Sequence, residues 1–408
     1  MIVFFGKKTE EFTFLKGCFA RFLTDDIASC RFLWKFQDFS FIIKEINFLS
    51  EAISMGNLLR ADHGLAFLLQ FEHVAWYEDG AVRILDRRVY PMETRFVTCR
   101  SHKEVAQAIA DMVTQSAGPY YAAAHGMTLA AYECRIMAQP VPFLQQAAYT
   151  LSHARPTTAS RMEAITGAAL RVAVAALEQG ADPVSSLQQF ALNMMNTRYR
   201  NIEKCAVALA DLLPREATVM TQCFAETVVG LLLREADVRG KTVQLICPET
   251  RPFLQGARLT ASVAAQQGCR ATVITDNMPG TILSSGKVDL FTSAADAICM
   301  DGTIINKVGT FQIALCAKHF GVPYYVTGSP DRSKPNAASV TIEYRNGDAV
   351  LEHQGIRVTA PGVQGLYPAF DITPPQLVTG IATDRGIFTP DLLGSYFKPE
   401  ETEDFPSA

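Results

Sequence analysis

Two rhythms divide this chain. From about His102 to Leu213, apolar positions recur every three or four residues, the spacing of one helix face. HKEVAQAIADMV, His102 to Val113, carries that spacing, and Ser101 stands where a helix N-cap belongs. The alanine-rich stretch from Tyr121 to Met137 predicts a buried helix, and Ala159 to Glu178 and Ser186 to Leu213 predict two more. Upstream, HVAWYEDGAVRILDRR (His73 to Arg88) alternates around Asp79-Gly80, the signal of a two-stranded hairpin.

From about Pro214 the pattern changes. Short β-prone runs, ATVMTQC, TVQLIC, ATVITD, DLFTSAADAICM and PYYVTG, alternate with helical segments. That is the βαβ rhythm of a parallel, doubly wound sheet. After Pro323 to Gly328 it loosens into shorter extended pieces, VTIEYRNG and IRVTAPG, and then YPAFDITP at Tyr367 to Pro374. We therefore expect an α/β protein. A Rossmann-like parallel-sheet domain is expected over 201–393, behind a smaller, mainly helical domain with a β-hairpin over 56–200. An acidic, proline-containing tail at 394–408 is expected to be flexible.

Residues 1–55 stand apart. Eleven of the 25 phenylalanines precede Ser50, and glycine is scarce there. FLKGCFARFL and FSFIIKEINFLSEAI have helix-like apolar spacing. Either this is an extra helical segment, or it lies upstream of a natural start at Met55. Its opening, MIVFFGKKTEEFTF, has acids straight after its lysines and lacks the sustained apolar core of a signal peptide. No apolar run in the chain approaches the roughly 20 residues that cross a bilayer.

At 408 residues, 49% apolar and 19% charged, the chain has room for two sizeable cores. A net charge of −4 offers no basic field for nucleic acid. Ten cysteines without CxxC pairs or His/Cys clusters predict reduced thiols in a cytoplasmic protein, with neither disulfides nor a metal site.

Candidate chemistry gathers in the second half. ETRPFLQGARLTA (Glu249 to Ala261), TDNMPG (Thr275 to Gly280) and DGTIINKVGT (Asp301 to Thr310) are polar, glycine-bearing loops that follow apolar runs. Their spacing of roughly 25 residues is that of a strand-plus-helix repeat. A parallel sheet would carry them to one edge, where open α/β sheets bind small ligands. Cys223 ends the run TVMTQC just before ETVVGLLLREA. A helix N-terminus behind it would favour thiolate, although most buried cysteines are simply small hydrophobes. Asp296 is followed by Ile298 and Met300, apolar neighbours that would raise its pKa by burial; in a turn or helix cap it would be ordinary. Asn306, Lys307 and Gly309 form a loop before the helix-like GTFQIALCAKHF, a setting suited to a phosphate or a polar sugar.

From roughly Val74 to Phe388 these motifs resemble the S-methyl-5-thioribose-1-phosphate isomerase family. That family shares a superfamily with the regulatory subunits of initiation factor 2B and with ribose-1,5-bisphosphate isomerases. The resemblance implies that Cys223, in Thr221-Gln222-Cys223 where the family has T-H-C, is catalytic. It implies that Asp296, ten residues before Asn306-Lys307 as in the family's G-A-D, is the acid. Asn306, Lys307, Gln255 and the Arg155 of SHARPTTAS would bind substrate. Arg251 and Arg258 either orient their loop or bind phosphate, and Asp276-Asn277 either contact sugar hydroxyls or form a turn. The family's phosphate-binding Arg-Gly becomes Gln115-Ser116, and its N-P-A-F-D becomes Tyr367 to Asp371.

The implied reaction converts an aldose 1-phosphate into a ketose 1-phosphate without metal or redox cofactor. Asp296 would protonate the ring oxygen, and Cys223 would move a proton between C2 and C1; a hydride shift in a dry pocket is the competing route. The substrate would be methylthioribose 1-phosphate, in methionine salvage. Alternatively, a sister isomerase would act on 5-deoxyribose 1-phosphate or ribose 1,5-bisphosphate, or a non-catalytic binding protein would resemble the initiation factor subunits. The family also implies a homodimer, with no nucleic-acid or membrane partner.

Overall fold

The computed structural model describes residues 60–155, 159–353 and 355–397. The expectations for residues 1–55 and for the tail after 397 lie outside these residues. Among the described residues, no helix is long and apolar enough to cross a membrane.

The chain first builds an antiparallel sheet of β1 (Ala75–Glu78), β2 (Ala81–Leu85) and β3 (Phe96–Cys99). Asp79 and Gly80 both take positive φ, 48° and 75°, which closes the expected tight hairpin. The third strand was not evident in the sequence. Five helices follow: α1 (His102–Ala110), α2 (Gly118–Glu133), α3 (Pro140–Ser152), α4 (Ala159–Glu178) and α5 (Pro183–Leu212). Ser101 Oγ accepts from Glu104 N at 3.3 Å, the expected cap of α1. Asp182 caps α5 by accepting from Val184 N and Ser185 N at 3.1 and 3.0 Å, with Pro183 in the first turn. Helix α2 is buried along most of its length. A Cβ on its Gly126 would lie 2.8 Å from Leu151 of α3, so glycine permits their close approach.

Next come β4 (Glu216–Met220), α6 (Thr227–Val238), β5 (Thr242–Pro248), α7 (Ala261–Gln266), β6 (Arg270–Ile274), α8 (Pro279–Ser284) and β7 (Leu290–Ala294). They are followed by β8 (Ala297–Ile298), β9 (Ile304–Lys307), α9 (Thr310–His319) and β10 (Tyr324–Thr327). The remaining strands are β11 (Tyr344–Arg345), β12 (Glu352–His353), β13 (Ile356–Arg357), β14 (Tyr367–Pro368), β15 (Phe370–Thr373), β16 (Gly380–Thr383) and β17 (Gly386–Phe388).

The main sheet runs β17-β16-β10-β7-β4-β5-β6, parallel except for β17 at its edge. Numbered in chain order, its parallel strands lie 3-2-1-4-5-6, so the order reverses between β4 and β7. Such a switch point opens a crevice at the strands' carboxyl ends. Side chains alternate across the sheet: Val219, Leu245 and Leu290 face one core, and Met220, Ile246 and Phe291 face the other. The first core continues into α2, α4 and α5. Helix α5 runs unbroken through the expected division at 200/201 and packs on α2, α4, α6 and β16.

Asn306 and Lys307 were expected in a loop. They instead end strand β9, which pairs antiparallel with β15 and β8. Both are buried polar residues, and that polarity masked the strand in the sequence.

Candidate functional site

The loops after β4 and β7 meet at the switch point. Cys223 lies three residues beyond β4 and four before α6, with φ of +60°. L-residues rarely hold that backbone, and the fold braces it. Thr260 Oγ1 donates to the Cys223 carbonyl at 2.6 Å. Thr260 closes a π-type turn, Gly256–Thr260, that opens α7. A Cβ on Gly256 would lie 1.8 Å from Pro248 O, so the QGARLT turn requires glycine. Gln222 Nε2 donates to Val308 O at 3.1 Å and joins the cysteine loop to the end of β9. The preceding Gln255 is buried at the start of the π-type turn.

Asp296 sits in the two-residue gap between β7 and β8. Its side chain is open to solvent, yet it is enclosed by the walls of a cleft dense in protein. That enclosure pushes its carboxyl above the ordinary range, with Lys307, Arg345 and Arg155 pulling the other way. Burial likewise pushes the Cys223 thiol up, to about 11, against the opposing pull of Lys307 and Arg345. The expected thiolate is therefore corrected. Three residues separate Cys223 from α6, and desolvation outweighs the helix dipole and both cations.

Lys307 is buried; its Nζ donates to Ala369 O at 2.9 Å and lies 4.8 Å from the centre of the Phe370 ring. Asn306 is also buried, and its Nδ2 donates to Thr310 Oγ1 at 3.0 Å. Asp371, opposite Asn306 across the β9–β15 ladder, accepts from Gly309 N at 2.7 Å and Phe311 N at 3.1 Å. It thereby caps α9 and fixes the turn after Lys307. Arg155 arrives from the helical half, and its charge acts on Asp296.

The other candidates divide. Gln115 is buried; its carbonyl accepts from Arg87 Nη1 at 2.7 Å, and its side-chain oxygen has no hydrogen-bond partner. Ser116 is exposed at φ +59°, a conformation suited to the glycine that the family resemblance places there. Arg87 also donates to Glu226 Oε1 at 2.8 Å, and Glu226 Oε2 accepts from Ala117 N at 2.8 Å. The Gln115 loop is thus tied to the cysteine loop. Arg258 orients backbone, donating to the carbonyls of Arg87, Arg88 and Tyr90 at 2.9–3.0 Å. Arg251 donates to Glu352 O at 2.7 Å, and Asp276 accepts from Thr250 N and Arg251 N at 2.8 and 2.7 Å. Arg251, Arg258 and Asp276 therefore hold loops in place. Sequence reasoning missed Arg345 altogether; it sits in VTIEYRNG, which offered only an extended piece.

The cleft thus gathers a raised carboxyl, a thiol and several cations at the carboxyl ends of a doubly wound sheet, an arrangement suited to acid catalysis on an anionic substrate. The chain matches the Initiation factor 2 subunit family over residues 121–390. It is 35% identical over 325 residues to a methylthioribose-1-phosphate isomerase of Anaeromyxobacter sp. (strain Fw109-5), spanning 76% of this chain and 93% of that protein. It is 33% identical to the enzyme of that name from Carboxydothermus hydrogenoformans, over 77% of this chain and 95% of the relative. The 5-methylthioribose 1-phosphate isomerase of Pyrococcus horikoshii OT3 superposes with a TM-score of 0.68 at 29% identity, covering 78% of this chain and 93% of that one. The A. fulgidus translation initiation factor eIF-2B subunit delta has the same score and identity, covering 78% and 96%. The chain belongs to the initiation factor 2 subunit family and, within it, to the methylthioribose-1-phosphate isomerase family.

Proposed function

We propose that this protein is an aldose–ketose isomerase that converts S-methyl-5-thioribose 1-phosphate to S-methyl-5-thioribulose 1-phosphate in methionine salvage. One observation carries the reading: Asp296, with its raised carboxyl, shares a cationic cleft with Cys223 and Lys307 at the switch point. A binding module has no need of an acid and a thiol set together in this way.

Phosphate on C1 blocks spontaneous ring opening, so an acid must assist it. Asp296 gives its proton to the ring oxygen as the C1–O bond breaks, and the bonding electrons stay on that oxygen. Hydrogen then moves from C2 to C1 with its electron pair, and the C2 hydroxyl returns a proton to the carboxylate. The result is a C2 carbonyl with the phosphate still on C1. A thiol of pKa about 11 enters neutral, which supports the hydride route over proton abstraction by Cys223. Lys307 and Arg155 neutralise the phosphate, and Asn306 and Gln255 hold the sugar. Gln115 and Ser116 line the phosphate end without a charge.

Eight free cysteines among the described residues support a reducing, cytoplasmic setting. Exposed Phe311 and Leu315, one turn apart on α9, support pairing of two copies through the sheet domain.

The test is turnover of the purified protein, followed by NMR, with methylthioribose 1-phosphate beside 5-deoxyribose 1-phosphate and ribose 1,5-bisphosphate. Preferred conversion of the first is expected. Preference for another sugar would make Gln115-Ser116 a specificity change. No conversion of any, by folded protein, would overturn the enzyme reading.

A further inference from the structure

We propose that Arg345, oriented by Glu343, binds the substrate phosphate and supplies the guanidinium charge that Gln115 does not. This deepens the isomerase reading and rests on it. Arg345 lies on β11 opposite Tyr367 of β14, while Lys307 lies on β9 opposite Phe370 of β15. These strands bring both cations to one aromatic ring. Lys307 Nζ is 4.8 Å from the centre of the Phe370 ring, and Arg345 Cζ is 5.6 Å from it.

Glu343 fixes the guanidinium. Its carboxylate accepts from Arg345 Nε at 2.8 Å and from Nη2 at 3.4 Å. A guanidinium carries five N–H donors in a rigid fork, so a carboxylate on one edge orients the whole plane. The side chain is largely buried, 15% exposed, so it does not wander in solvent.

The charges point to the ligand class. Arg345 and Lys307 both act on Cys223 and on Asp296, and Arg345 also acts on Arg155. Two guanidinium groups and an ammonium therefore act on one cleft, with the Glu343 carboxylate on Arg345 and the Asp371 carboxyl near Lys307. Cations placed beside Asp296 and Cys223 in this way suit an anionic phosphate monoester. Like charges converging in a partly desolvated cleft repel one another, and a bound dianion relieves that repulsion.

The experiment compares wild type with Arg345→Gln and Arg345→Lys. It uses calorimetric titration with inorganic phosphate, steady-state kinetics and thermal melting. For Arg345→Gln we expect phosphate affinity to fall at least about tenfold, with KM rising far more than kcat falls. Arg345→Lys keeps the charge and loses the fork, and should fall between the two. A folded Arg345→Gln with unchanged phosphate affinity and KM would overturn the proposal. If Arg345→Gln does not fold, Arg345→Lys decides, since a purely structural Glu343 partner would lower melting and leave phosphate affinity intact. Should wild type bind phosphate through Arg345 but turn over no sugar, the isomerase reading fails, and with it the assignment to that substrate, while Arg345 keeps only a role as a phosphate ligand.

Discussion

Thr260 holds Cys223 by its backbone: the threonine hydroxyl donates to the cysteine carbonyl at 2.6 Å, across 37 residues of sequence. The relationship joins the longest motif of the chain to its candidate catalytic thiol. Thr260→Val keeps the shape and removes the donor, leaving the Cys223 carbonyl without that bond at φ +60°. Such a loss costs about 1–3 kcal/mol. We expect lower thermal stability and a kcat reduced about tenfold or more as the thiol drifts, with Thr260→Ser recovering both. Unchanged kcat in Thr260→Val would show that the thiol needs no such brace.

Arg87 and Glu226 form a second link, 2.8 Å apart, with the guanidinium fully buried. Breaking a buried pair from one side strands the other charge and costs about 3–5 kcal/mol. Arg87→Met should therefore destabilise strongly, by chemical denaturation, whereas the double change Arg87→Met with Glu226→Gln should recover part of the loss. A double variant no better than Arg87→Met would mean that the backbone carbonyls of Gln115 and Leu68, which Arg87 also holds, dominate.

What was legible in the sequence was local. Parallel strands covered on both faces read as apolar runs, so β4, β5, β7 and β10 are legible, and the edge strand β6, with Val273 exposed, is legible from its β-branched residues. Gly256 was visible within its motif because the turn admits nothing larger. The strand β9 was not legible, since Asn306 and Lys307 look like loop residues until Thr310 and Ala369 take up their side chains. Helix α3 is poorly marked in the sequence, since Pro140 and Pro142 open it and proline is disfavoured in a helix interior, although it is well tolerated in a helix's first turn. The state of Cys223 was misjudged because a helix dipole can be read locally, while burial by distant segments cannot. Arg345 lies 122 positions beyond Cys223, and nothing in its own neighbourhood announces the meeting.

Asp371 carries a pH-dependent stability term. Burial raises its carboxyl from 3.8 to about 6, despite the two N–H groups it accepts. A group with a raised folded pKa holds its proton more tightly when folded. Its contribution is full below pH 3.8 and is lost as pH rises through about 6. Asp371→Asn stays neutral and keeps an oxygen for Gly309 N and Phe311 N. The variant should therefore gain stability relative to wild type at pH 8 and show little gain at pH 4, by denaturant titration at both values. An equal difference at the two values would sink the assignment.

The reaction route can be read from a label. With a pKa of about 11, Cys223 is thiolate in only about one molecule in ten thousand at pH 7. Ionising it there costs about 5 kcal/mol, and a bound phosphate dianion adds to that cost rather than easing it. A hydride shift avoids the ionisation. Substrate deuterated at C2 and turned over in light water should carry the deuterium into C1 of the product, as NMR would detect. Asp296→Asn should abolish turnover, and in wild type kcat/KM should fall as pH climbs past the raised pKa of the carboxyl, since the acid must hold its proton. Cys223→Ser should slow the reaction while leaving label transfer intact, because under this route the thiol supports the shift without carrying the hydrogen. Loss of deuterium to solvent in wild type would reverse the conclusion and make Cys223 the proton carrier, activated by Lys307 and Arg345 only once the sugar is bound.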